Sequence, residues 1–396
     1  MFPIDRIKEN ERKYVNEVLD DAFRTSCGYK MTRRLEEAFA EKFGSRYAVA
    51  FCNGTATLHI ALEAAGVGMG DEVIVPPLTM SSTTFGVLHT GATPVFADVD
   101  PDTFLITAEA IERCITPRTR AIIAVSLYGL SPDMDPIMAL AKKHDLTVIE
   151  DDAQCFLGKY KGKTVGTLGD MASFSFQASK HMTSGEGGML ITDSEELAAK
   201  IRQYSGLGYA GITPSKGKIS KNDIQNPNYS RHVSLGWNYR MSDVASAVAL
   251  GQLEHLDELV EARIACAKRF DEAISGTSLL ARQKEGKEYV NSYWAYTVKL
   301  TDDCITWADF REKFIAFGGD SVYAAWKLTY LEPMFLDKVF LGREALLNDS
   351  VSYEKGICPV AEKLQGRLLQ FKTNYYDADE LEAAAQALEK TVAYFK

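Results

Sequence analysis

Residues 47–65 read Tyr-Ala-Val-Ala-Phe-Cys-Asn-Gly-Thr-Ala-Thr-Leu-His-Ile-Ala-Leu-Glu-Ala-Ala. The first five, Tyr47–Phe51, make a continuous apolar run of strand length, and an Asn-Gly pair follows it. Leu58, Ala61, Leu62 and Ala65 then recur at the i, i+3, i+4, i+7 spacing of one helix face. The pattern of apolar strand, tight turn and helix repeats along the chain. Val73–Val75, Pro94–Ala97, Ala121–Val125 and Leu146–Ile149 are further buried-strand runs, with helical patterns between them. Strands apolar on both faces and alternating with helices predict an α/β fold with a mostly parallel sheet covered on both sides. Ligands of such sheets bind at the carboxyl ends of the strands. The turns after the strands are therefore the places to search.

Further out, Met171–Phe176 and Met189–Thr192 read as strands around a Gly-rich turn. Residues 208–233 are rich in Lys, Ser, Asn and Gly with little periodicity and read as a long loop, a type that tends to be functional. A helical pattern from Met241 to Ala273 joins two domains, and Tyr293–Leu300 (strand) and Ala378–Phe395 (closing helix) belong to the second. The length of 396 residues exceeds one typical domain. The expected division is a large domain over 1–255, with an N-terminal helical segment, and a smaller α+β domain over 256–396.

The composition, 46% hydrophobic and 25% charged, is that of a globular protein with a sizeable core. A net charge of −10 argues against a nucleic-acid partner and against a polybasic membrane-surface protein, since both need clustered Lys and Arg. The seven cysteines (27, 52, 114, 155, 266, 304, 358) stand singly, without a C-x-x-C pair. They read as reduced thiols, with neither a disulfide framework nor a metal site. The N-terminal stretch is mostly polar from Asp5 on and shows no apolar signal-peptide run. No apolar run reaches the roughly 18–20 residues that span a bilayer. Cytoplasmic residence without a membrane partner is the expectation.

Three elements carry chemistry. Asn53-Gly54-Thr55-Ala56 opens a helix at a strand end, where exposed N–H groups and the helix dipole suit an anion and Gly54 admits a phosphate; taken alone, a simple N-cap with a tight turn is the favoured reading. Glu150-Asp151-Asp152-Ala153-Gln154 follows a strand and suits a metal, a protonated ring nitrogen or merely solvent. Lys180 sits in a turn of small residues, where a lysine can be desolvated toward neutrality as Schiff-base lysines require; the plain alternative is an exposed turn lysine. Together they are what pyridoxal phosphate needs: a phosphate anchor, an acid for the pyridine nitrogen and an amine.

The chain resembles the DegT/DnrJ/EryC1/StrS sugar aminotransferases, within the fold-type I (aspartate aminotransferase-like) superfamily. The resemblance rests on Asn-Gly-Thr at 53–55, Gly-Asp-Glu-Val-Ile-Val-Pro-Pro at 70–77 and Pro-Val-Phe-Ala-Asp-Val-Asp at 94–100. It continues with Ile-Thr-Pro-Arg-Thr-Arg-Ala-Ile-Ile at 115–123 and Glu-Asp-x-Ala-Gln at 150–154. Ser-Phe-Ser-Phe-x-x-x-Lys-x-x-Thr-x-Gly-Glu-Gly-Gly at 173–188 and Trp-Asn-Tyr-Arg-Met-Ser-Asp at 237–243 complete it. Their joint order is far more specific than any one of them.

The resemblance implies that Lys180 is the catalytic residue, holding the internal aldimine of pyridoxal phosphate and shuttling the proton through the pyridoxamine form. It implies that Asp151 pairs with the pyridine nitrogen and Gln154 with the ring hydroxyl, and that Gly54, Thr55 and Ser175 bind the phosphate. Ala56, Met80 and Ala153 join the cofactor site, and Asn238 reaches the cofactor of the neighbouring subunit in a homodimer. The implied reaction moves an amino group from L-glutamate to a nucleotide-linked keto sugar. Two alternatives stand beside it. A sugar dehydratase of this family carries histidine in place of the lysine, and the register from Ser175 through Thr183 puts Lys180, not His181, there. A non-catalytic regulator would have no use for an intact Lys180, Asp151 and Gln154.

Two positions and one segment depart from the family. Met80 stands where an aromatic residue usually stacks on the cofactor, and Asp152 replaces a small residue and adds a negative charge. Val322-Tyr323-Ala324-Ala325-Trp326-Lys327-Leu328 replaces a His-Tyr-x-Pro-Leu-His-like substrate segment.

Overall fold

The structure, a computed structural model, describes residues 3–23, 30–214 and 220–396; Cys27 lies outside them. Seven strands form the central sheet: β1 (Tyr47–Phe51), β2 (Glu72–Val75), β3 (Thr93–Phe96), β4 (Thr119–Val125), β5 (Thr147–Asp151), β6 (Met171–Ser175) and β7 (Gly188–Thr192). Their order is β1-β7-β6-β5-β4-β2-β3. All run parallel except β7, which returns from the Gly-rich turn after β6 and pairs antiparallel with both β6 and β1. The strands are apolar on both faces because both faces are covered, as the α/β expectation requires.

Every parallel strand delivers its carboxyl end to one rim. β1 leads to Asn53-Gly54, β2 to Pro76–Met80, β5 ends in Asp151, and β6 leads to Lys180. The helix Gly54–Ala64 is buried on nearly every side, including Leu58, Ile60, Ala61 and Leu62. On the other face Phe39, Phe43, Phe156, Phe174 and Phe176 make one aromatic cluster, Phe39 stacking on Phe43 at 4.3 Å. Each such ring contributes roughly 1.5–3 kcal/mol of burial.

Both sheet edges are covered. At β1, Glu36 accepts the N–H of Ala50 (2.9 Å) and is held bidentately by Arg202 (3.1 and 2.8 Å), which also donates to the carbonyl of Ala48 (3.0 Å). Cys52 N–H reaches the carbonyl of Tyr239 at 2.8 Å. At β3, Pro94 has no N–H to offer, its carbonyl accepts the Tyr353 hydroxyl (2.9 Å), and Thr93 Oγ1 accepts Asn348 N–H (2.8 Å).

The C-terminal part carries a four-stranded antiparallel sheet, Leu280–Arg282, Ala295–Leu300, Leu368–Lys372 and Val322–Ala324 in that order, packed with the helices Trp307–Ala316 and Ala378–Tyr394. The helical pattern of 241–273 is two helices, Asp243–Glu254 and Leu256–Ala273. The break is at His255, whose backbone leaves the helical region (φ −123°, ψ 23°) while its ring hydrogen-bonds the carbonyl of Gly251. Glu150 and Asp151 also belong to β5 itself, where the sequence pattern ended the strand at Ile149. Within the long loop the structure adds a short helix, Lys221–Gln225.

Candidate active site

A cavity of about 340 Å³ opens at the carboxyl rim, lined by Gly54, Thr55, Met80, Asp151, Ala153, Gln154, Ser175 and Lys180, with Trp294 and Trp326 from the C-terminal part. Two expected residues lie outside it. Ala56 is buried and its N–H is taken by the side chain of Asn53 (2.9 Å). Asn238 is exposed and accepts from Arg240 Nε at 3.0 Å.

At one end Gly54 and Thr55 open their helix, where the first N–H groups have no acceptor within it. A Cβ on Gly54 would stand 2.9 Å from Ser175 Cβ, closer than carbon atoms pack, so glycine keeps this end open. Free N–H groups, the Thr55 and Ser175 hydroxyls and the dipole make an anion cradle. At the other end Asp151, 5% exposed, accepts from Thr83 Oγ1 (2.8 Å) and from Ala153 N–H (3.3 Å). Burial raises its carboxyl above the ordinary range, against the lowering pull of Thr83 and of Lys180. Gln154 is oriented by the N–H of Tyr128, which its carbonyl accepts at 2.8 Å, so its NH₂ remains to donate.

Lys180 faces the cavity with its Nζ 4.9 Å from the centre of the Trp294 ring. Protein packed around the amine lowers it to about 8; Asp151 resists this and the Arg263 charge adds to it. The turn beneath is held by hydrogen bonds: Lys180 N–H reaches the Gln177 carbonyl (2.9 Å), and the Gln177 side chain accepts Ser179 N–H (2.8 Å). His181 points away, buried, with Nε2 on the carbonyl of Ser292 (2.9 Å).

Asp152 does not place a charge in the site. It is fully buried with Oδ1 accepting from Ser126 Oγ (2.7 Å), and burial and the neighbouring carboxylates of Glu150 and Asp151 hold its proton on well above the usual range. The cavity fits pyridoxal phosphate on its own features: the cradle that a Cβ would fill, a buried acid, and a desolvated amine beside an indole. Thr83, Trp294 and Arg263 went unread in the sequence. Arg263 had a signal, since it interrupts the apolar stripe of Leu256, Leu259, Val260, Ala267 and Phe270 on its helix.

Comparison with known proteins places nearly the whole chain in one family. Residues 5–375 match the profile of the DegT/DnrJ/EryC1/StrS aminotransferase family. The GDP-perosamine synthase of Caulobacter vibrioides is 40% identical over 310 residues, 77% of this chain and 78% of that one. The spore coat polysaccharide biosynthesis protein SpsC of Bacillus subtilis is 41% identical over 272 residues, 69% of this chain and 68% of its own. The solved structure of an aminotransferase from Psychrobacter cryohalolentis superposes with a TM-score of 0.86 at 31% identity, covering 100% of this chain and 98% of that one. Matched over nearly its whole length, the chain belongs to the DegT/DnrJ/EryC1/StrS aminotransferase family.

Proposed function

We propose that this enzyme transfers an amino group from L-glutamate to the ketone of a nucleotide-linked sugar, with pyridoxal phosphate in the Lys180 cavity, and that it works as a homodimer. The observation that carries the reading is a desolvated Lys180 amine sharing one cavity with Asp151 and the Gly54 cradle. Relatives named for perosamine synthesis and spore coat polysaccharide synthesis support a sugar acceptor. Pyridoxal phosphate supplies an aldehyde that takes up the amino group and a ring that draws electrons.

The residues divide the work. Gly54, Thr55 and Ser175 hold the phosphate, Asp151 holds the proton on the ring nitrogen, and Gln154 donates to the ring hydroxyl. Met80, which lines the same cavity, would offer the ring a thioether contact. Lys180 is the attachment point, and its freed Nζ takes the proton from the substrate carbon and returns it. Asn238 stands on an arm hydrogen-bonded to the edge of β1 and serves the partner subunit's phosphate. The elimination reading needs a histidine in the cavity, and His181 is committed to Ser292 instead.

Only a neutral amine attacks an aldehyde, so the pH at which Lys180 loses its proton sets the rate of cofactor capture. Stopped-flow mixing of cofactor-free enzyme with pyridoxal phosphate is expected to show a rate rising about tenfold per pH unit and levelling above about 8. A midpoint near the ordinary lysine value would refute the desolvated amine.

Mass spectrometry of products from a panel of nucleotide keto sugars with glutamate tests the reaction. An amino sugar and 2-oxoglutarate are expected, and a deoxy product without nitrogen would overturn the reading. Trp326 lines the sugar side, 5.8 Å from Trp294 ring to ring. Trp326→Ala is expected to raise KM for the sugar roughly tenfold, the size of a lost aromatic contact. Bleaching of the enzyme by glutamate should be unchanged.

A further inference from the structure

Arg263 is buried on the inner stripe of its helix, a position where the pattern calls for an apolar side chain. A buried cation is ordinarily paired with a carboxylate. Among the described residues no carboxylate lies within ion-pair distance of Arg263. Its partners are uncharged. Nη2 donates to the carbonyls of Ser179 (2.9 Å) and Lys180 (3.1 Å), and Nη1 to the carbonyl of Trp294 (2.9 Å) and the hydroxyl of Thr373 (3.1 Å).

These partners converge on the reacting amine. Trp294 Nε1–H donates to the carbonyl of Ser179 at 3.1 Å, and Lys180 Nζ sits over the Trp294 ring. The Lys180 carbonyl also accepts from Arg6 Nη2 at 3.3 Å. A guanidinium holds such a set because its donors lie in a fixed plane, whereas a lysine ammonium is a point donor.

We propose that Arg263 is a positioning residue of the reaction: its fork locks the Ser179–Lys180 turn to the Trp294 peptide, so that the lysine amine is presented over the indole, and it sets a fixed positive charge beside that amine. The inference rests on Lys180 being the cofactor lysine. Burial lowers Arg263 to about 10, so it stays charged at neutral pH, and its charge disfavours protonation of Lys180. Asp151 faces the same amine and acts in the opposite sense; His181, on the neighbouring position, is held uncharged by burial.

Two variants separate charge from fork. In cofactor-bound enzyme the visible absorption changes with pH at a midpoint that reports protonation at the lysine nitrogen. Arg263→Gln removes the charge, and the midpoint is expected to rise by on the order of one pH unit. Arg263→Lys keeps the charge but not the fork; its midpoint should match wild type while kcat falls roughly tenfold, with circular dichroism unchanged. An unmoved midpoint in folded Arg263→Gln, or equal shifts in both variants, overturns the proposal. Should Arg263→Gln fail to fold, wild-type kcat in Arg263→Lys overturns it alone. Failure of the underlying reading looks different: wild-type enzyme would show no lysine-dependent absorption at all.

Discussion

Lys180→Ala is expected to lower kcat by on the order of 10⁴-fold, the upper range for removing a positioned acid–base group. The loss comes from one atom, Nζ, which is both the attachment point and the proton carrier in the proposed reaction. The Gly54 cradle, Asp151 and Gln154 are untouched, so the variant should fold and still bind pyridoxal phosphate. Single-turnover rates with glutamate, read beside the absorption spectrum, check this. Near wild-type turnover would mean that the lysine is not the catalytic residue, whatever the resemblance of its surroundings.

Asp151→Asn ranks second. The amide matches the carboxylate in shape, and Thr83 Oγ1, which also lies 3.1 Å from Thr79 Oγ1, can reorient toward it. What vanishes is the charge that keeps a proton on the ring nitrogen. A charge-assisted hydrogen bond is worth about 1.5–3 kcal/mol, so kcat should fall roughly 10²-fold. A second sign follows from the same substitution. Asp151 resists the desolvation of Lys180, so its loss should carry the amine below about 8 and move the cofactor-capture profile to lower pH. An unchanged profile would show that the two groups do not sense each other.

The parallel sheet and most of the cavity were legible because they depend on local signals: apolar runs, helix spacing and small residues in the turns at 53–55 and 177–188. What escaped depends on contacts across the chain. Thr83 reaches Asp151 from the helix after β2, and Tyr128 orients Gln154 through a backbone N–H that no side-chain pattern reveals. Asp152 looked like an added charge because sequence shows an acid and not its burial. The helix break at His255 was hidden for a related reason, since the apolar spacing continues through Leu253, Leu256 and Val260 on both sides of it. Trp294 entered the site from a segment read only as a strand.

The covered sheet edges bear on how this chain is made. All seven strands are complete once Thr192 has left the ribosome, but their closures come later. The clasp on β1 needs Arg202 and Tyr239, and the cover on β3 needs Asn348 and Tyr353. Unpaired strand edges recruit other strands. A nascent or truncated chain ending before about residue 348 therefore exposes a finished sheet with one raw edge. Asn348 and Tyr353, made long after the strands they shield, thus act as a late cap that keeps the β3 edge from recruiting foreign strands.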